Sequence, residues 1–410
     1  MITVFKMKNA LKKIIGNKRI IIGVFLAFVA ISTIQAITSE GSTNHYNGVP
    51  HTEYNNYVIF KESFHHLKNN QDLYIYHPKD HFDLYKYTPT FAAFFGIFSI
   101  FPDWAGLSLW GAFNALILLF AVYYLPKLTL YEKGLIMVFI AFELITSLQN
   151  QQSNALIAGL LILAFGLLEK KKIWLAALCI VFSIFIKPFG IVGLVLFLFY
   201  PQKWKSALYV LFWTFIFLIA PLIWIDLEQY SALTNSYLRM LAADHSSSYG
   251  YSVMGIINSW FSVDINKNLI VTIGVLLFLL PLYRISQYKS LQFKLLGLTS
   301  ILIWIVIFNH KAESPTFVIA MAGVSIWFIL SQKNKLNIAL FILAIVLTSL
   351  SPTDLFPATI REEFVKPYAL KALPCILIWI KIIYDMIVLN EKPKEENEVS
   401  ENSEKQLTTN

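Results

Sequence analysis

The stretch "SLQNQQSNALI", residues 147–157, sets five amide side chains (Gln149, Asn150, Gln151, Gln152 and Asn154) between two apolar runs. An amide brings both donors and acceptors and is costly to bury without partners. Such a run therefore suits a place where the polar groups of a ligand are received. One apolar run later, "FSIFIKPFGIVGL" places Lys187 directly before Pro188, with apolar residues on both sides. A lysine near membrane depth marks a functional site by default, with snorkelling to the interface as the plain alternative. A turn there would point its ammonium at an anionic headgroup. A third stretch, "FNHKAESPTFVI" at 308–319, brings His310, Lys311, Glu313 and Ser314 just ahead of Pro315. A positive cluster of this kind holds phosphate or pyrophosphate well, unless Lys311 and Glu313 only pair with each other.

The segment 39–87 is the richest in chemistry. It carries Glu40, Glu53, Glu62, Asp72, Asp80 and Asp83, with His45, His51, His65, His66, His77 and His81, and tyrosines that include Tyr54, Tyr57, Tyr74, Tyr76, Tyr85 and Tyr87. Carboxylates and amides bond sugar hydroxyls, aromatic rings stack on sugar faces, and a carboxylate can take the proton of an attacking hydroxyl. Within it, "NYVIFKESFHHLKNN" puts Tyr57, Phe60, Phe64 and Leu67 on one helical face, as in a helix lying on a membrane surface. The histidines raise metal binding as a second reading. However, no clear metal-ligand motif is read among them, and His65 and His66 point in two directions on a helix. No metal or other cofactor is expected. The segment 226–268 adds Arg239, Asp244 and His245, as a loop that closes over a substrate or as plain loop.

These residues must be positioned by membrane-spanning helices. Of the 410 residues 57% are hydrophobic and only 14% charged, against about a quarter charged in a soluble domain. Apolar stretches recur from residue 20 to residue 389 and several approach the roughly 20 residues that span a bilayer. Runs such as "IVGLVLFLF" do not alternate as barrel strands do. An all-α polytopic membrane protein is expected. The net charge of +8 comes largely from Lys and Arg flanking the apolar runs, beginning with Lys6, Lys8, Lys12, Lys13, Lys18 and Arg19. That is the positive-inside footprint, and it argues against a nucleic-acid partner. Cys179 and Cys375 both lie inside apolar runs, so no disulfide framework is expected.

With the Lys/Arg clusters taken as cytoplasmic, the chain divides into a basic N-terminus 1–19, a membrane domain 20–389 and a disordered, Glu-rich cytoplasmic tail 390–410. Parity gives twelve spans, at about 20–38, 104–124, 134–148, 155–168, 173–186, 189–200, 206–225, 269–285, 294–308, 315–331, 336–350 and 371–389. Both termini are then inside, and 88–102 is interfacial or re-entrant; thirteen spans with a different pairing is the alternative. The first outer loop, 39–87, and a second large loop, 226–268, share the outer face with the amide run and Lys187.

In order along the chain these motifs resemble the GT-C glycosyltransferases, specifically glycosyltransferase family 87, which includes polyprenol-phosphate-mannose-dependent mannosyltransferases. The family's acidic "D-F-x-x-Y" in the first outer loop is matched by "EYNNY", Glu53 and Tyr57. Its "G-x-D-x-Y" is matched by "NQDLY", Asp72 and Tyr74, and its aromatic-Tyr-Pro-Pro by "YKYTP", Tyr87 and Pro89, with Thr88 at the first proline. "QQSN" resembles its "G-Q-x-N", giving Gln152 and Asn154 with Gln151 where glycine is usual. Lys187–Pro188 matches its "K-P", and Ser314–Pro315 its late "S-P". The resemblance implies a GT-C-type fold of about 12–13 transmembrane helices whose long first extracytoplasmic loop carries interfacial helices. It also implies transfer of a hexose, mannose favoured, from a polyprenyl-phosphate donor to a lipid or glycan acceptor at the outer face of a bacterial cytoplasmic membrane. Glu53 would be the base, with Glu40 and Asp72 as rivals. Lys187, and with it Lys311, would hold the donor phosphate. Gln152 and Asn154 would position sugar or phosphate, with Tyr57, Asp72, Tyr87, His310 and Ser314 completing the substrate-binding set. A transporter or flippase of lipid-linked saccharides is the rival from another class. It would spread polar residues through the midplane, whereas here they gather at one face.

Overall fold

The computed structural model describes residues 2–39, 44–46, 49–243 and 248–390. Among them the chain is helical apart from one short antiparallel hairpin, β1 (Asn44–Tyr46) with β2 (Val49–His51). The helices are α1 (Ile2–Ile15), α2 (Lys18–Thr38), α3 (Asn55–Lys68), α4 (Pro89–Ser99), α5 (Asp103–Tyr124), α6 (Leu130–Gln149), α7 (Asn154–Glu169) and α8 (Ile173–Ile186). They continue with α9 (Lys203–Ile219), α10 (Leu227–Ala243), α11 (Val253–Phe261), α12 (Lys267–Leu279), α13 (Leu291–Ile307), α14 (Phe317–Leu330), α15 (Lys335–Leu343), the single-turn α16 (Ala358–Ile360) and α17 (Leu373–Val388). Glu40, Asp244, His245 and the tail from residue 391 lie outside the described residues.

Each of the twelve apolar stretches folds as a helix at its place in the chain. Among the described residues three helical segments, Lys18–Thr38, Asp103–Tyr124 and Lys203–Ile223, are long and apolar enough to cross a bilayer by length and composition alone. The twelve residues Pro188–Phe199 wind as a 3₁₀ helix. At about 2.0 Å rise per residue these reach roughly 24 Å, a third more than an α-helix of equal length. By contrast α4, with eleven residues, is only about 16 Å long. It starts where the Thr88 hydroxyl donates to the Phe185 carbonyl beside Lys187, and ends where the Tyr57 hydroxyl meets the Phe98 carbonyl. Both of its ends therefore lie at one end of the bundle, and α4 does not cross it.

α7, α13 and α14 form the centre, buried along almost their whole length. They are packed by α5, α6, α8 and α17. At the periphery α9 exposes Leu208, Leu211, Phe212 and Phe215, and α12 exposes Leu269, Ile273 and Leu276. An uncovered apolar face of that kind is a lipid-facing one. The face of α3 meets something else: Tyr57, Phe60, Phe64 and Leu67 are buried, and the Phe60 ring lies against Phe91, Phe95 and Trp110. The stripe that suits a membrane surface is thus covered by protein, namely α4 and α5. At Gly106 of α5 a Cβ would stand 1.9 Å from the Tyr57 hydroxyl, so α3 can sit this close to α5 only because that position is glycine.

Cations converge on the opposite end of the bundle. Lys18 lies over the Tyr123 ring at 5.3 Å, Lys133 Nζ donates to the Tyr123 carbonyl at 2.7 Å, and Lys170 lies 3.5 Å from the Tyr124 ring centre. Lys294 pairs with Glu169, which also accepts from the Tyr200 hydroxyl at 2.7 Å. Arg284 caps the end of α17 at the Ile387 carbonyl and the Asn390 amide. The end of α1 presses on the start of α6, where a Cβ on Gly134 would stand 2.0 Å from the Ile15 carbonyl oxygen. The ends of α1 and α17 thus both lie at this basic end. The basic N-terminal stretch is itself a helix, with Lys12 at 5.5 Å from the Tyr131 ring.

Candidate functional site

The amide run ends one helix and starts the next. α6 finishes in a Schellman turn: Gln152 N–H donates to the Ser147 carbonyl at 3.1 Å and Gln151 N–H to the Leu148 carbonyl at 3.0 Å. This requires a left-handed residue, and Gln151 takes it at φ +49°, an L-residue where glycine pays no steric cost. The indole of Trp110 donates to the Gln151 carbonyl at 2.8 Å, and the Gln149 amide to Gln35 Oε1 at 2.7 Å. Gln151→Gly is expected to raise stability by about 0.5–1 kcal/mol, read as a higher thermal midpoint in detergent. A fall would show that the Gln151 side chain contributes more than its backbone strain costs.

That turn carries two amides to Lys187. Its ammonium donates to Asn154 Oδ1 at 3.1 Å and Gln152 Oε1 at 3.4 Å, and lies 5.3 Å from the Tyr87 ring centre. No carboxylate comes within ion-pair distance of it among the described residues. Asn154 is 1% exposed, and its Nδ2, with the Ser147 and Ser153 hydroxyls, has no hydrogen-bond partner among the described residues. Buried polar atoms normally have partners, so this is a charged pocket with donors left over.

Beside it, residues 149–150 line a cleft of about 600 Å³ together with Tyr251, Ser314, Arg361, Lys366 and Lys371. Its cations are already answered. Arg361 meets Glu362 at 3.2 Å and the Thr353 carbonyl at 3.0 Å, Lys366 meets Glu362 at 2.8 Å, and Lys371 meets Glu143 at 2.7 Å. Of the stretch 308–319, Ser314 reaches the cleft, while Glu313 caps the turn that opens α14. His310 and Lys311 are half-buried in the same turn, whose Ala312 carbonyl receives the Tyr251 N–H at 2.8 Å.

Glu53 is exposed in the turn before α3. Three residues on, Asn56 donates to the Asn150 carbonyl at 3.0 Å, which sets the start of α3 against the amide turn. Tyr57 is fully buried, and burial, with Asp103 next, pushes its hydroxyl well above the ordinary range. It packs as a core ring. Asp72 has both oxygens engaged, by Tyr74 N–H at 2.9 Å and the Ser236 hydroxyl at 2.6 Å, and so ties the first loop to α10. The stretch 226–268 is correspondingly mostly helix, with Arg239 exposed on α10.

Sequence reasoning passed over three features. Asp103 pairs with Lys61 at 2.8 Å and accepts from Tyr54 at 3.3 Å. Glu143 and Lys371 form a buried pair, signalled in the sequence by an acid in the middle of an apolar run. His66, His77 and Asp80 bring three ligand-type atoms within 4.8 Å of one another; its trace in the sequence was the HxxxH spacing of His77 and His81 around Asp80.

No curated protein matches the chain. The sequence profile of glycosyltransferase family 87 matches residues 85–352, well over half of the chain. The match takes in Tyr87, Gln152, Asn154, Lys187, His310, Lys311 and Ser314, whereas Glu53, Tyr57, Asp72 and the histidine cluster precede it. With its helical bundle, lipid-facing apolar helices and one polar end, this chain is a membrane glycosyltransferase and belongs to glycosyltransferase family 87.

Proposed function

We propose that the enzyme transfers a hexose, mannose favoured, from a polyprenyl-phosphate donor to a lipid-linked or glycan acceptor at the amide end of the bundle. That end faces the outside of a bacterial cytoplasmic membrane, and both termini lie in the cytoplasm. The observation that carries this reading is Lys187, an ammonium held at 3.1–3.4 Å by two neutral amide oxygens. Its charge is left for an anion such as the donor phosphate. The arginine and lysines of the neighbouring cleft are satisfied by carboxylates or a carbonyl, which suits that cleft to sugar and acceptor hydroxyls.

In the reaction, Glu53 takes the proton of the acceptor hydroxyl and that oxygen bonds to the anomeric carbon. The bond to the phosphate oxygen breaks, and polyprenyl phosphate leaves with the electron pair, its charge held by Lys187. Glu53→Gln is expected to lower donor consumption at least about 10²-fold. Because Glu53 is exposed, folding and expression should be unchanged. A variant that consumes a polyprenyl-phosphate sugar at the full rate would remove Glu53 from this role.

A further inference from the structure

We propose that the first polar loop binds one divalent transition-metal ion of the zinc type, through His66 of α3 and His77 and Asp80 of the following turn, with His81 as the fourth donor. One ligand atom from each of the first three lies within 4.8 Å of the others. Four-coordinate zinc with bonds of about 2.0–2.1 Å places neighbouring donors roughly 3.3 Å apart, so a closing of up to about 1.5 Å brings these three to ligand spacing. His66 Nε2 is already 3.0 Å from Asp80 Oδ2, and the His66 and His77 rings stack with centres 3.8 Å apart.

Two further observations point to an ion rather than to a solvated polar cluster. His77 Nε2 lies 2.8 Å from the Asp72 carbonyl oxygen. A carbonyl only accepts, so this nitrogen carries the proton and Nδ1 keeps its lone pair. That is the arrangement by which metal-bound histidines are oriented. His81 is 1% exposed, with its ring centre 6.1 Å from that of His66 and 5.9 Å from that of His77. Neither of its ring nitrogens makes a well-formed hydrogen bond. Its polar interaction is with the Asp83 backbone, which leaves a ring nitrogen for a metal bond. Three imidazoles and one carboxylate favour zinc over calcium or magnesium, which prefer all-oxygen sites.

Such an ion would tie α3 to the loop 70–87, which runs on to Tyr87 above Lys187. The cluster precedes the stretch matched by the family profile. The test uses the full chain in detergent, stripped by chelator, reloaded with Zn²⁺ alone and dialysed, with bound metal counted by elemental mass spectrometry. One ion per chain is expected in the wild type and in His65→Ala, a neighbouring imidazole outside the set. The double variant His66→Ala/His77→Ala should lose it. Asp80→Asn, at an exposed position, should weaken it at least 10-fold, and decides the matter if the double variant fails to fold. Wild-type protein without stoichiometric metal overturns the site, as does an ion retained at full affinity by Asp80→Asn and the double variant.

Discussion

Replacing Lys187 by methionine is expected to slow transfer from a polyprenyl-phosphate sugar by about 10²–10³-fold, the loss typical of removing one charged or hydrogen-bonding group from a developing anion. Methionine keeps most of the length and volume of the side chain, so the packing of α8 and of the 3₁₀ helix beyond it is retained. What disappears is the charge that Asn154, Gln152 and Tyr87 surround. Lys187→Arg keeps the charge but not the compact ammonium, and an intermediate rate is expected. The readout is initial rates over a range of donor concentration. Loss in kcat beyond loss in KM shows that Lys187 acts on the leaving phosphate in the transition state, whereas a rise in KM alone would mean ground-state binding only. Wild-type rates in Lys187→Met would place the phosphate elsewhere.

The second large effect concerns stability. Lys371 and Glu143 are 1% and 0% exposed and pair at 2.7 Å, with a further bond from Lys371 Nζ to the Thr348 carbonyl at 2.9 Å. The pair ties α6 to the head of α17. Removing one partner strands a charge in the bundle, and Lys371→Met is expected to cost about 3–5 kcal/mol. The double variant Lys371→Met/Glu143→Leu should recover most of that, because an apolar pair of similar volume needs no partner. Thermal or denaturant midpoints of the three proteins in one detergent measure it. A single variant costing under about 1 kcal/mol, or a double variant as unstable as the single, would show that the pair is not what holds α6 to α17.

The helical bundle was legible because each apolar stretch lies between Lys/Arg clusters, and charge and hydropathy are local properties of a sequence. Even the short helix α4 could be set aside as interfacial or re-entrant by the parity of those clusters, with Pro89 and Pro102 bracketing it. The grouping of Gln152, Asn154 and Lys187 was legible as membership of one face, since parity puts both connections there. Their contact was not, because it joins residues 33 and 35 positions apart in the chain. The Glu143–Lys371 pair spans 228 positions and leaves only an isolated acid in an apolar run. Tyr57 shows the converse failure: a tyrosine in a matching motif reads as a substrate contact, whereas Gly106 and Phe95 make it a core ring. Gln151 was visible as a departure from the glycine usual in the family; its left-handed turn gives the physical reason for that glycine.

The central claim is that a lipid-phosphate sugar is the donor and that its bond is broken. The most direct measurement incubates the purified enzyme with polyprenyl-phosphate mannose, and separately with a nucleotide-linked mannose, in the presence of lipid and glycan acceptors, and follows release of polyprenyl phosphate by mass spectrometry. The account predicts release from the lipid donor, abolished in Lys187→Met, and none of the nucleotide sugar consumed. Consumption of the nucleotide sugar, or movement of the intact lipid-linked sugar across a vesicle membrane without release of polyprenyl phosphate, would contradict it.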